Sequence, residues 1–519
     1  MSTRILFLIL DGWGVGEYNQ SNPIYSSKTP NFDYLTSYFP YCTLQASGIT
    51  VGLPWKEAGS SEIGHLTLGT GSVYLQNYPK ITLAIQKGTF FDNPPLNHTA
   101  KNAKEKNGRI HLVGLLSEGA QQASFEHLEA LIKFFNKNEL EKIFLHLFVD
   151  GQDSPPQSAG DLLYKLKDPD LRATLATIVG RSYAMDIKGD YHLKTQRAYN
   201  ALIKGIGKAT ADPIAYLRTK YNGSSAYNDS DTEPLIIDPE GTVQDGDTVL
   251  FFNFESQGMM QLVESMTRPA FEKFPTLFRK DVLYTSLVSY GPHISIPACF
   301  EPDPIQTSLP LLLSSNEKTQ LKVTEKSKEL LLSYFFNGLR HEAFPEEYQK
   351  IIPPSPETIL KNPLMRSKEI TETILSAMDE RAYDAIFANY PAPDAVGHSG
   401  NFNLATKFVA EFDQYMHFII KKVLDSSDWT LIITADHGNL ERIYNPKTGS
   451  PDTEHTGFPV PFYLVSRPFF RKKTESDIAR EKSSPPKGTL EDVAPTILHL
   501  LGLPASVGMH GKSLLHEFL

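Results

Sequence analysis

Three separated stretches of this chain set acidic and imidazole side chains directly behind short apolar runs. Asp11 follows residues 5–10, Asp394 and His398 follow residues 385–388, and Asp436 and His437 follow residues 430–434. His455 comes soon after, within Thr453-Glu454-His455-Thr456. A mixture of carboxylates and imidazoles without cysteine suits Mn²⁺ or Zn²⁺ and disfavours a structural zinc site. The spacing of Asp394 and His398 brings both side chains to one side of a helical turn. Taken alone, an Asp–His pair behind a strand is more often a cap or a satisfied polar pair. Several such pairs sharing the same position relative to a strand point instead to a metal centre.

A nucleophile is available in Gly59-Ser60-Ser61-Glu62-Ile63-Gly64-His65. The segment lies between a Gly/Pro-containing loop and a predicted helix, where serine commonly serves as an N-cap. A helix start also offers unpaired N–H groups and the positive end of a dipole, both suited to phosphate. A hydroxyl bound to a divalent ion loses its proton more readily, so Ser61 becomes a candidate alkoxide for phosphoryl transfer.

The elements that must position these groups are legible as patterns. The three apolar runs read as buried strands, and ligand sites in open parallel sheets lie beyond the carboxyl ends of strands. Residues 403–424 carry apolar positions at helical spacing. The middle of the chain alternates on its own account, with strands expected at 110–116, 143–149 and 249–254 and helices at 125–136 and 191–206. An inserted domain explains this best, with crossings at 76–79 and 290–293, both carrying turn residues. Residues 471–487, rich in charge, read as a surface loop.

At 519 residues the chain is long enough for two to four domains. With 40% hydrophobic and 21% charged residues it is a globular, soluble type. A net charge of −10 argues against nucleic acid or an anionic membrane surface as partner. It leaves a small anionic substrate open, since metal ions reverse the field of a single cleft. Two cysteines, Cys42 and Cys299, without a CxxC pattern, indicate a reducing compartment. No apolar run has the length of a secretory signal or membrane span, so a cytoplasmic location is expected.

Taken together, these residues resemble the cofactor-independent phosphoglycerate mutases of the alkaline phosphatase superfamily. The marks of the resemblance are Leu8-Ile9-Leu10-Asp11-Gly12-Trp13-Gly14, the stretch 59–65, Ala184-Met185-Asp186 after Gly180-Arg181, and Phe252-Asn253-Phe254. They continue with Thr324-Glu325-Lys326, Phe335-Phe336-Asn337-Gly338, Val396-Gly397-His398-Ser399-Gly400 and the stretch 434–439. The resemblance implies an α/β fold. An alkaline-phosphatase-like, mostly parallel sheet domain (1–76 and 300–519) would bind the metals, and an inserted α/β domain (77–299) would bind substrate. It implies two divalent ions, Mn²⁺ foremost with Zn²⁺ or Co²⁺ as alternatives, one on Asp394, His398 and His455, the other on Asp11, Ser61, Asp436 and His437. Ser61 would carry phosphate between the 3- and 2-hydroxyls of glycerate in a monomeric enzyme. Gln122, Asp153, Arg181 and Lys326 occupy substrate-contact positions.

The resemblance breaks at five of the family's substrate-contact positions, while Asp153, Arg181 and Lys326 match it. Gln122 stands where the family has histidine, and Gln152, Ile187, Glu255 and Gly258 stand where it has arginines. A guanidinium makes paired bonds to phosphate or carboxylate that these residues do not. Each lost contact costs on the order of 1.5–3 kcal/mol. Two other readings therefore accompany the mutase. One is a hydrolase or mutase of the same architecture acting on another phosphorylated small molecule. The other is a non-catalytic relative, which the intact set of metal and serine positions disfavours.

Overall fold

The structure, a computed structural model, describes residues 4–445 and 447–518. The chain folds as two units, one of Met1–Leu75 with Pro304–Leu519, the other of Gln76–Asp303. The outward crossing coincides with the turn expected at 76–79, although Asn77–Lys87 is already helical. The return lies beyond the expected turn at 290–293. Tyr290 belongs to the second core, and its hydroxyl donates to the Asn253 carbonyl (2.9 Å).

The first unit is organised by an eight-stranded sheet. Its order is Glu347–Ile352, Gln320–Glu325, Ala385–Tyr390, Arg4–Leu10, Trp429–Thr434, Val460–Val465, Tyr41–Gln45, Gly488–Thr489. The first five strands run parallel, and Val460–Val465 runs antiparallel to both of its neighbours. The strand Arg4–Leu10 is buried along almost its whole length. A strand covered on both faces reads as a continuous apolar run rather than an alternation, as this one does. Leu10 pairs with Tyr390, and Ile9 with Thr434. That register brings the ends of three strands level, so Asp11, Asp394 and Asp436 leave the sheet at one edge. Helix Phe402–Asp425 covers the sheet with Phe408, Phe412, Met416 and Ile420.

The second unit is a separate α/β body with its own eight-stranded sheet. Parallel strands Arg109–Leu116 and Lys142–Val149 lie at its centre, and Thr248–Phe251 and Thr174–Gly180 flank them. The strand expected at 249–254 stops at Phe251, because Asn253 turns its side-chain oxygen back to the Leu115 N–H (2.8 Å). The helix expected over 191–206 is a π turn, Tyr191–Thr195, leading into Gln196–Lys204. The stretch 471–487, expected as loop, contains helix Glu475–Ser483, started by a capping box between Thr474 and Asp477. Cys42 and Cys299 are both buried and unpaired. Among the described residues, no helix is long and apolar enough to cross a membrane.

A buried ion pair crosses the edge of the first sheet. Lys322 Nζ lies 2.9 Å from Glu347 Oε1, with both side chains almost wholly removed from water, and also donates to Asn337 Oδ1. Burial outweighs the attraction of Glu347 and draws the Lys322 ammonium down to about 8. Lys322→Met leaves a carboxylate buried without its partner, at an expected cost of about 3–5 kcal/mol. The double change Lys322→Met with Glu347→Leu removes both charges and is expected to recover most of that loss. Thermal unfolding of the two variants checks this. Equal destabilisation in both would show that packing, not pairing, sets the cost.

Candidate active site

Ser61 opens helix Ser61–Thr70, preceded by the extended Ser60 and followed by Gly71 in the left-handed region. The first intrahelical bond at this end runs from Gly64 N–H to the Ser60 carbonyl (2.8 Å), so the earlier N–H groups remain available at the serine. Gly64 has a steric role. A Cβ there would lie 2.4 Å from the Asp436 carbonyl oxygen, so only glycine lets this helix reach the end of strand Trp429–Thr434.

The sequence-predicted donors converge around this serine. Ser61 Oγ lies 2.8 Å from His437 Nε2 and donates to Asp11 Oδ1 (3.2 Å). His437 Nε2 is also 3.4 Å from Asp11 Oδ1 and 3.5 Å from Asp436 Oδ2. On the other side, Asp394 Oδ1 lies 3.3 Å from His398 Nε2 and 3.4 Å from His455 Nε2. The two imidazoles are 3.2 Å apart, nitrogen to nitrogen. Their second nitrogens are fixed by backbone oxygens, His398 Nδ1 by Thr453 (2.6 Å) and His455 Nδ1 by Gly59 (2.8 Å). This leaves both Nε2 atoms turned toward the carboxylate, the arrangement of metal-ligating histidines.

Two groups have ligand atoms within 4.8 Å of one another, Asp11 with Asp436 and His437, and Asp394 with His437 and His455. His437 thus faces both groups, whereas the resemblance assigns it to one. The residues fit divalent ions by their chemistry. Asp436 Oδ2 is buried and carries no hydrogen bond, since the nearby His65 Nδ1 is directed at the Ser61 carbonyl (2.8 Å). A buried carboxylate oxygen left without a donor is what an absent cation accounts for.

The electrostatics agree. Burial pushes the Asp394 carboxyl up, but hydrogen bonds from His398 and His455 and the charge of Lys328 hold it well below the usual range. The hydrogen bond to Asp394 in turn raises His398. Burial disfavours charge on His437, yet Asp436, Asp11 and Asp394 overcome it and lift the imidazole to about 10. The buried carboxylates thus draw positive charge onto His398 and His437, a field suited to cations.

Four side chains at this centre escaped the sequence reading. Asn389 Nδ2 donates to Asp11 Oδ2 (3.2 Å), and Asn439 Nδ2 to Asp394 Oδ1 (2.8 Å). His65 Nδ1 sits 3.1 Å from Asp436 Oδ2. Lys328 Nζ lies 3.0 Å from Asp394 Oδ2. Asn389 and Asn439 had a signal, since each lies within a few residues of a strand end that delivers an aspartate. Lys326, expected as a substrate contact, is 61% exposed, pairs with Glu329 and lines the same cavity as Ser61. The short helical turn Lys326–Lys328 rotates the second lysine inward instead.

In the second unit Arg181 is engaged by Asp150 (3.1 Å). Asp153 accepts the N–H groups of Gln121 (3.3 Å) and Gln122 (3.0 Å), while Gln122 Oε1 is buried without a partner. Ile187 is 61% exposed. Glu255 Oε1 accepts the neighbouring Ser256 N–H (3.0 Å). Gly258 sits under Met185, whose Cε would be 2.8 Å from an added Cβ. Lys194 lies 3.3 Å from Asp186.

Comparison with known proteins agrees with this picture. Residues 3–505 match the model of the Metalloenzyme superfamily. The chain is 34% identical to a 2,3-bisphosphoglycerate-independent phosphoglycerate mutase of Myxococcus xanthus, with 99% of each chain covered. It is 35% identical to one of Moorella thermoacetica, with 98% of each covered. A crystal structure of Leishmania mexicana phosphoglycerate mutase at low cobalt concentration shares the fold, with a TM-score of 0.58, 24% identity, and coverage of 99% and 97%. With its fold, its donor set and its full-length likeness in agreement, the chain belongs to the 2,3-bisphosphoglycerate-independent phosphoglycerate mutases of the Metalloenzyme superfamily.

Proposed function

We propose that this chain interconverts 3-phosphoglycerate and 2-phosphoglycerate through a phosphoserine at Ser61. The observation that carries the reading is Ser61 Oγ at a helix start, 2.8 Å from His437 Nε2 and in bonding contact with Asp11. It stands in a chain related over its whole length to mutases.

Ser61 Oγ attacks the phosphorus, the bond to the substrate's C3 oxygen breaks, and a bond to Ser61 forms. The C2 hydroxyl of glycerate then attacks the same phosphorus, and the Ser61 bond breaks. The serine proton passes to the released C3 oxygen in the first transfer and the C2 hydroxyl proton returns to Ser61 in the second, so none is consumed overall. The free N–H groups at the start of helix Ser61–Thr70 would favour the negative charge of a phosphoryl group on Ser61. Two divalent ions, on Asp394, His398 and His455 and on Asp11, Ser61, Asp436 and His437, would acidify the serine hydroxyl and neutralise phosphoryl charge. Mn²⁺ is the ion proposed, with Co²⁺ and Zn²⁺ as substitutes. Asp153, Arg181, Gln122 and Lys326 are proposed to contact substrate, and the enzyme to act as a cytoplasmic monomer.

The test is to incubate the full chain with 3-phosphoglycerate and Mn²⁺ and to follow phosphorus by NMR. Formation of 2-phosphoglycerate with little free phosphate is expected. Free phosphate released from assorted monoesters, without isomer, would replace the mutase by a hydrolase. Glu255 bears on substrate grip, because a carboxylate repels an anionic ligand where an arginine attracts it. Glu255→Arg is expected to lower KM for 3-phosphoglycerate about tenfold, the size of one charge-assisted bond. An unchanged KM would remove Glu255 from the substrate face.

A further inference from the structure

Lys328 occupies a position in the first unit that substrate chemistry alone does not explain. Its ammonium lies 3.0 Å from Asp394 Oδ2, 3.2 Å from Asp11 Oδ2 and 3.3 Å from Ser61 Oγ. Asp11 and Asp394 belong to different ligand groups, so one side chain bridges both halves of the centre. The same two carboxylates also meet His437 on Asp11 and His398 and His455 on Asp394, with amide donors from Asn389 and Asn439.

Buried carboxylates without countercharge are costly, and among the described residues Lys328 is the lysine or arginine paired with Asp11 and Asp394. A dication on the same oxygens cannot share them with an ammonium at 3 Å, because the two cations repel at that range. Lys328 also has somewhere to go. Together with Ser61, Glu329 and Leu330 it lines a cavity of about 690 Å³. Its side chain retains 23% exposure, whereas the two carboxylates have almost none. A lysine stem with four rotatable bonds can swing across that cavity while its backbone turn stays in place.

We propose that Lys328 is a tethered counter-cation that neutralises the centre before metal enters and competes with the ions for Asp11 and Asp394. The proposal rests on Asp11 and Asp394 being metal ligands, as the function proposed above requires. On leaving the carboxylates, Lys328 remains beside Ser61 and is available to the phosphoryl group carried there. Metal affinity is then the difference between what the carboxylates gain from the ions and what they lose from the lysine.

The experiment uses the full chain, stripped with chelator, and titrates Mn²⁺ calorimetrically into the parent and Lys328→Met proteins. The variant is expected to bind Mn²⁺ at least about tenfold more tightly at unchanged stoichiometry, since no competing charge must be displaced. Its metal-free form is expected to melt at lower temperature than the parent's. A lysine with a merely structural role would lower metal affinity or leave it alone. A second measurement needs no substitution. Amine-directed labelling of the parent, read by mass spectrometry, is expected to modify Lys328 slowly in the stripped protein and faster with Mn²⁺. Equal Mn²⁺ affinity in parent and variant, or equal labelling with and without Mn²⁺, overturns the proposal. A parent protein that binds no Mn²⁺ at all overturns both this proposal and the two-metal mechanism. Tight binding in the parent with no response to Lys328→Met overturns this proposal alone.

Discussion

Ser61→Ala is expected to reduce turnover by at least about 10⁴-fold, the scale seen when a covalent nucleophile is removed. The substitution deletes one oxygen. Asp11 loses a hydrogen-bond donor and His437 a neighbour at 2.8 Å, but every carboxylate and imidazole stays in place. Metal stoichiometry by elemental analysis is therefore expected to hold, and melting temperature to change little. The variant should also fail to retain phosphate from labelled substrate. Turnover within tenfold of the parent would remove Ser61 from the chemistry, and loss of bound metal would recast it as chiefly a ligand.

Asp394→Ala is expected to have the second largest effect, and a different signature. This carboxylate is met by Lys328, His398, His455 and Asn439. Without it, one ammonium and two imidazoles face a gap with no anion to hold a cation. Bound metal is expected to fall from two ions to one, with turnover down by at least about 10³-fold as one flank of the in-line displacement is lost. Ser61→Ala and Asp394→Ala thus separate the nucleophile from the ligand set, since only the second changes metal content. Two ions retained in Asp394→Ala would take Asp394 out of the ligand set.

The central strands were legible because burial on both faces imposes a near-continuous apolar run, as in Arg4–Leu10 and, broken only by His146, in Lys142–Val149. Less was legible where a local signal was polar. Helix Glu475–Ser483 has no buried residue, so it leaves no apolar stripe, and its capping box lay inside a charge-rich stretch read as loop. Strand Thr248–Phe251 ends early through a long-range bond from the Leu115 N–H to Asn253 Oδ1, which no local window contains. Lys328 went unread at the centre for a similar reason. Lys326 and Lys328 differ by two positions, and only the turn that follows strand Gln320–Glu325 decides which one faces inward.

The sequence by itself determined the kinds of candidate ligand, the candidate nucleophile and the strand ends that carry them. Those are properties of residue type and of apolar runs a few residues long. Tertiary structure decided how the ligands are shared. Asp11, Asp394 and Asp436 are brought level by parallel pairing of strands some 380 to 430 residues apart in the chain. That register places His437 between two groups and Lys328 across both, because distances near 3 Å depend on how strands align and helices pack.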